Sequence, residues 1–191
     1  MRALAASFRV LTSRAYRNGG IPVRLPTRYL GGRQISMAAE PTSSLPPETI
    51  EFANRMFDAA REGNSELLVA AVNAGLPVNL TNDKGNSLLM LAAYSGHDGL
   101  VTSLLNSGAD PNRLNDRQQS PIAGAVFKGH DAVVKALLSK GADPRLGTPS
   151  AIESAFMFGK QDLLGLMGAK EGDIGEEVPK PIPRSDGPSG L

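Results

Sequence analysis

From residue 88 onward, apolar residues come in short blocks with glycines at fixed places between them. Leu88-Leu89-Met90 and Ala92-Ala93 precede Gly96, and Leu100-Val101 and Leu104-Leu105 precede Gly108. The second group has the spacing of an α-helix with one buried face. Gly96 and Gly108 stand where a left-handed turn would end each helix. The pattern predicts a short buried helix, a turn, and an amphipathic helix. Ile122-Ala123, Ala125, Val133-Val134 and Leu137-Leu138, punctuated by Gly129 and Gly141, predict the same pair again. Upstream, residues 49–63 read as a first inner helix, with Met56-Phe57 and Ala59-Ala60 in the places of Leu89-Met90 and Ala92-Ala93.

The pairs keep a strict period. Gly63, Gly96 and Gly129 are 33 residues apart, and so are Gly75, Gly108 and Gly141. Asn79 and Asn112, Asn82 and Asn115, and Asp83 and Asp116 repeat at the same distance. The text GHDGLVTSLLNSGADP (96–111) returns as GHDAVVKALLSKGADP (129–144). Taken together, the period, the Ala-Ala and Gly-His steps, the Val-x-x-Leu-Leu stripe and Gly-Ala-Asp-x-Asn resemble the ankyrin repeat. The resemblance implies an all-α solenoid of helix-turn-helix units. Its small Ala92, Ala93 and Ala125 would let inner helices lie close to the next repeat.

The sequence departs from the family pattern at several points. Met90 and Ala123 stand where the helix-starting His belongs, and Leu88 stands where Pro belongs. Gln118 replaces the glycine of the preceding turn, Gly85, so an easy positive-φ position is lost. Gly124 sits inside a helix, at a cost of about 1 kcal/mol relative to Ala. At the far end Thr148-Pro149 predict a restarted helix, and Ala155 and Gly159 follow Ala125 and Gly129 at a spacing of 30. Leu163, Leu164 and Leu166 begin a last outer helix that stops near Gly168. The reading is two full repeats between two capping ones, over 49–168. Residues 37–48 are a Pro/Ser linker. Residues 169–191, with five acidic residues, three basic residues and four Pro, predict a disordered tail.

Charge changes the picture of the N-terminus. The formal net charge is +1, yet residues 1–39 hold seven Arg and no other charged residue. Residues 40–191 then hold 13 basic and 19 acidic residues, a net of −6. Leu4, Phe8, Leu11 and Ala15 share one helical face, with Arg2, Arg9 and Arg17 opposite. An acid-free, Arg-rich amphipathic helix has the attributes of a mitochondrial transit peptide, here 1–36, addressed to the matrix. Arg33-Gln34-Ile35-Ser36 resembles a processing site, with Arg33 before the cut and Ser36 or Met37 at the new terminus. Translation from Met37, followed by Ala-Ala-Glu-Pro, is the alternative and would give a cytoplasmic or nuclear form.

Candidate chemistry is sparse. There is no Cys, which excludes thiol catalysis and disulfides, and the only two His are His97 and His130 in equivalent places. Those two read as the family's Gly-His turn, since neighbouring helices ~8–10 Å apart cannot easily share one metal ion. Neither a Walker nor a GxGxxG pattern occurs, so neither enzyme activity nor a cofactor is expected. The −6 body speaks against nucleic acid, and no apolar run is long enough for membrane insertion. In the ankyrin family, partners bind at hairpin tips and at exposed inner-helix positions. The positions implied here are Arg61, Tyr94, Ser95, Phe127, Lys128 and Met157 on the helices, with Lys84, Asn86 and Arg117 at the tips. Tyr94, Phe127 and Met157 would form an apolar stripe on a face that is usually wet. The other reading is that linker or tail covers Phe127 and Met157, or that they are simply tolerated. The expectation is a monomeric interaction module for one protein partner.

Overall fold

The computed structural model describes residues 46–181. The helix at 4–15, Arg33, Ser36, Met37, most of the linker, and 182–191 lie outside the described residues. Among the described residues there are eight helices: α1 Pro47–Glu62, α2 Ser65–Asn73, α3 Leu88–Ser95, α4 Asp98–Asn106, α5 Pro121–Lys128, α6 Asp131–Ser139, α7 Ala151–Met157 and α8 Gln161–Leu166. They form four antiparallel pairs. Inner helices α1, α3, α5 and α7 stack in chain order, and each outer helix packs behind its own inner partner. The arrangement is the expected all-α solenoid.

Side-chain size explains the stacking. Ala92, Ala93, Ala125 and Ala155 are completely buried between inner helices. Leu68, Leu100, Leu104, Val133, Val134 and Leu137 fill the layer between inner and outer rows. Serine hydroxyls start the inner helices α3, α5 and α7, because each accepts an otherwise orphaned amide, while α1 starts on Pro46 without a side-chain cap. Ser87 accepts from the Met90 amide at 3.1 Å, and Ser120 from Ala123 at 3.3 Å. The fourth inner helix corrects the sequence expectation. It starts at Ala151 and not at Thr148-Pro149, because Ser150 is its cap. Ser150 accepts from the Glu153 amide at 3.1 Å, while Glu153 accepts from the Ser150 amide at 2.8 Å. Ser150 lies 30 residues after Ser120, the shortened spacing already evident at Ala155 and Gly159.

Successive repeats are tied at two levels. At the helix ends, His97 Nε2 lies 2.7 Å from the Arg61 carbonyl and His130 Nε2 lies 3.2 Å from the Tyr94 carbonyl. A carbonyl only accepts, so Nε2 is the protonated nitrogen. Each bond satisfies a carbonyl in the last turn of the preceding inner helix, where no intrahelical donor remains. Each ring also lies over that repeat's terminal glycine. A Cβ on Gly63 would come within 2.5 Å of the His97 ring, and one on Gly96 within 2.6 Å of the His130 ring. In the last repeat Lys160 takes the His place, near Gly129, and its ammonium is 3.5 Å from Asp131.

The second level is in the loops. Asn79 Oδ1 accepts the Asp110 amide at 2.9 Å, and Asn112 Oδ1 accepts the Asp143 amide at 2.7 Å. Asn112 Nδ2 also donates to the Gly141 carbonyl at 3.1 Å. One period later stands Arg145, whose guanidinium donates to the Gly168 carbonyl at 3.0 Å and to Asp173 at 3.0 and 2.7 Å. The Arg145 hydrogen bond, then the Lys170 amide, hold the Asp173 carboxyl below its ordinary range. Ala169 and Ile174 pack against the core. The disordered tail expected from 169 therefore begins with a docked segment. Composition missed it because one ion pair and two apolar side chains suffice to hold a few residues against an existing array.

Gly96 carries φ +86° and supports the ring above it, so both effects oppose a side chain there. Replacing Gly96 with Ala is expected to cost about 2–3 kcal/mol. Thermal unfolding followed by circular dichroism checks this: the midpoint should fall by several degrees, and an unchanged midpoint would refute the seat.

Candidate partner-binding surface

The tips are built by asparagine. Asn82 Oδ1 accepts the amides of Lys84 and Asn86, both at 3.0 Å. One period on, Asn115 Oδ1 accepts those of Arg117 at 3.0 Å and Gln119 at 2.9 Å. Two backbone bonds close the turns, from Asn82 to the Asn86 carbonyl at 3.0 Å and from Asn115 to that of Gln119 at 3.1 Å. Adjacent tips are then joined: the Asp116 amide donates to the Lys84 carbonyl at 3.2 Å, and Asn115 Nδ2 to Asn86 Oδ1 at 2.8 Å. Asn86, expected on the partner surface, thus has its side-chain oxygen committed to the neighbouring tip. Lys84 and Arg117 are exposed at equivalent places on the two turns.

Gln118 keeps the conformation that its residue type disfavours. Its φ is +59°, against +72° at Gly85. The tip registry imposes this, since the Gln118 carbonyl must accept the Thr148 amide at 2.8 Å. The cost is about 1–2 kcal/mol, offset by the bonds of the turn.

Tyr94 and Phe127 face the same side from α3 and α5. Their rings are stacked with centroids 6.4 Å apart and planes 12° from parallel. Phe158 adds an edge contact to Phe127 at 5.5 Å and 75°. The three are 45%, 54% and 42% exposed, so no described part of the linker or tail covers them. The third ring is that of Phe158, while Met157, expected in the stripe, is half-buried. Helix α7 ends at Met157, and Phe158 is its capping residue, with φ −93° and ψ 7°. Phe158 occupies the place of Lys128 in the shortened register. Both reach back to the previous aromatic: Lys128 Nζ sits 4.8 Å from the Tyr94 ring centroid, as Phe158 sits against Phe127. The aromatic at 158 was visible in the sequence, but its backward reach was not.

Between tips and inner helices runs a groove of about 670 Å³. It brings together Arg61, Lys84, Asn86, Tyr94, Ser95, Arg117 and Phe127 from the expected set, and adds Met90, Leu91, Gln119 and Gly124. Lys128 stands beside it and Met157 outside it. Arg61 is exposed and paired with Asp58 at 2.6 Å. Among the described residues no cluster of three His, Cys, Asp or Glu could hold a metal ion. No described helix is long and apolar enough to cross a membrane.

Comparison with known proteins agrees with this geometry. Residues 56–147 match the family model described as ankyrin repeats, in three copies. A Pseudomonas aeruginosa protein described as an ankyrin repeat protein is 52% identical over 58 residues, which cover 30% of this chain and 34% of the relative. The matched stretch thus spans about a third of that relative's length. With four stacked helix pairs and three matched copies, the described residues form an ankyrin-repeat array. Ankyrin arrays are a general protein–protein interaction module, which defines the class of function and not the partner.

Gly124 lies on the groove floor under Tyr94, where an added Cβ would meet Tyr94 Cδ2 at an ordinary 3.4 Å. Gly124→Ala is therefore expected to stabilise the array by about 0.5–1 kcal/mol. Chemical denaturation would show a raised midpoint at unchanged slope. A lowered midpoint would mean that the Tyr94 ring cannot yield.

Proposed function

We propose that the protein is a non-enzymatic, monomeric adaptor that binds one protein partner along this groove, in the mitochondrial matrix. The observation that carries the binding site is the exposed Tyr94–Phe127 stack on adjacent repeats, extended by the edge contact of Phe158 from the next. Aligned, exposed aromatics are typical anchors for a partner, and stacking holds them in place beforehand. Both histidines serve as struts between repeats, which leaves them a structural role. The address rests on the Arg-rich, acid-free character of 1–36 and on the processing pattern at Arg33 and Ser36. Initiation at Met37 would place the same adaptor in the cytosol or nucleus.

Two measurements test this reading. In pull-downs from mitochondria, Tyr94→Ala/Phe127→Ala should lose a partner that the wild type retains, with affinity falling at least ~30-fold. Thermal stability of the double variant should stay near wild type, and equal recovery by both baits would rule the groove out. Separately, a fluorescent protein fused behind residues 1–40 should enter mitochondria. Diffuse cytosolic signal would overturn the address without touching the groove.

A further inference from the structure

We propose that the groove takes an acidic, extended protein segment that places one aliphatic or aromatic side chain on the Tyr94–Phe127 stack. This rests on the reading of the groove as the partner site and adds the chemistry of the partner.

The argument begins with sign. Residues 40–191 carry a net of −6. The groove lining reverses that sign, since Arg61, Lys84 and Arg117 face one acid, Asp83; just outside the lining, Lys128 stands over Tyr94 and Asp116 sits beside Arg117. Arg61 is partly answered by Asp58. Lys84 and Arg117 are in no ion pair with any described residue. Asn82 and Asn115 fix their backbones in identical turns, so the two charges repeat with the solenoid. A cationic strip on an anionic body attracts acidic partners and repels basic ones. That disfavours the chain's own N-terminal head, whose seven Arg have no acid beside them.

Shape supplies the rest. Inner helices lie ~8–10 Å apart, and an extended chain advances ~3.3 Å per residue. One repeat step is therefore about three residues, which sets the interval between acids that would meet Lys84 and Arg117. The anchor would lie between them, over the small Gly124 floor. Single-stranded nucleic acid is the competing occupant of a cationic, aromatic groove, but it needs free ring faces for its bases. Here Lys128 covers Tyr94, Tyr94 and Phe127 stack on each other, and Phe158 abuts Phe127. Three rings already engaged with one another and with a lysine leave room for one apolar side chain more readily than for a run of stacked bases.

The test is selection of displayed random peptides of about 12 residues, long enough to run the ~40 Å of a four-repeat face. The full chain is the bait and full-length Tyr94→Ala/Phe127→Ala the counter-bait, so the head is common to both. The enriched consensus peptide is then titrated by fluorescence anisotropy. The expected consensus is net acidic with one apolar anchor and acids about three residues apart. Lys84→Glu/Arg117→Glu should weaken it at least ~10-fold, with a fall in affinity as salt rises. A charge-swapped lysine peptide should prefer that variant. Neutral or basic consensus peptides that still need Tyr94 and Phe127, or tolerance of the charge reversal, would overturn the acidic partner and leave the groove standing. No enrichment, or equal binding to the counter-bait, would overturn both readings. A uridine 12-mer that binds the wild type and fails on the aromatic variant would replace the protein segment with nucleic acid.

Discussion

The structure depends on a contact between repeats that no single repeat can make. An imidazole from the start of one outer helix lies on the terminal glycine of the preceding inner helix and bonds a carbonyl of its last turn. The glycine supplies two things at once: the positive φ that ends the helix, and the space the ring fills. The His97 ring requires Gly63 and the His130 ring requires Gly96, whereas Gly129 ends its helix with the same positive φ beside Lys160. The contact also reaches the groove directly. The two carbonyls belong to Arg61 and Tyr94, so the backbone that presents a rim charge and a floor aromatic is held by the same struts that set the repeat spacing.

The three-residue contraction before the last inner helix shows what the array tolerates. Around that point the serine cap is kept, but three other devices are answered by different residues. Lys160 stands for His, Arg145 for Asn, and Phe158 for Lys128. Arg145 donates to the Gly168 carbonyl as Asn112 donates to Gly141, and its longer reach also catches Asp173. The tail segment thus ends the solenoid on an ion pair, where a further repeat would have supplied an amide. Such a pair on the surface contributes little stability by itself. Its consequence is positional: it holds Ala169 and Ile174 against the last core layer.

Sequence and structure agree wherever the information is periodic. Glycines 33 apart and apolar blocks were enough for helix pairs and the solenoid, because each is a local rule repeated. They disagree where a side chain reaches out of its own repeat. Periodicity placed Met157 in line with Phe127, yet it carries nothing about which of two adjacent residues turns backward at a frayed helix end. Asn86 looked like an exposed tip residue because its acceptor role depends on Asn115 in the next tip. Gln118 looked like the loss of a left-handed turn, and the turn survives because both neighbouring tips demand it. The docked start of the tail was invisible for the same reason: its partners lie 23 to 28 residues away.

The preorganisation of the groove follows from these cross-repeat contacts and bears on how it can bind. A flexible exposed aromatic must lose rotamer freedom on binding, at about 0.5–1.5 kcal/mol for each ordered side chain. Tyr94, Phe127 and Phe158 already restrain one another, and Lys128 lies over the first of them. Their backbones are restrained in turn, Tyr94 by His130 and the tips by Asn82 and Asn115. A partner therefore meets a surface whose ordering cost was met during folding. The apolar exposure is what folding retains in return, since three rings about half open to water are not explained by burial. Lys84 and Arg117 complete the arrangement, because their charges sit at the same repeat interval as the rings and give that face a direction along which an extended chain can be read.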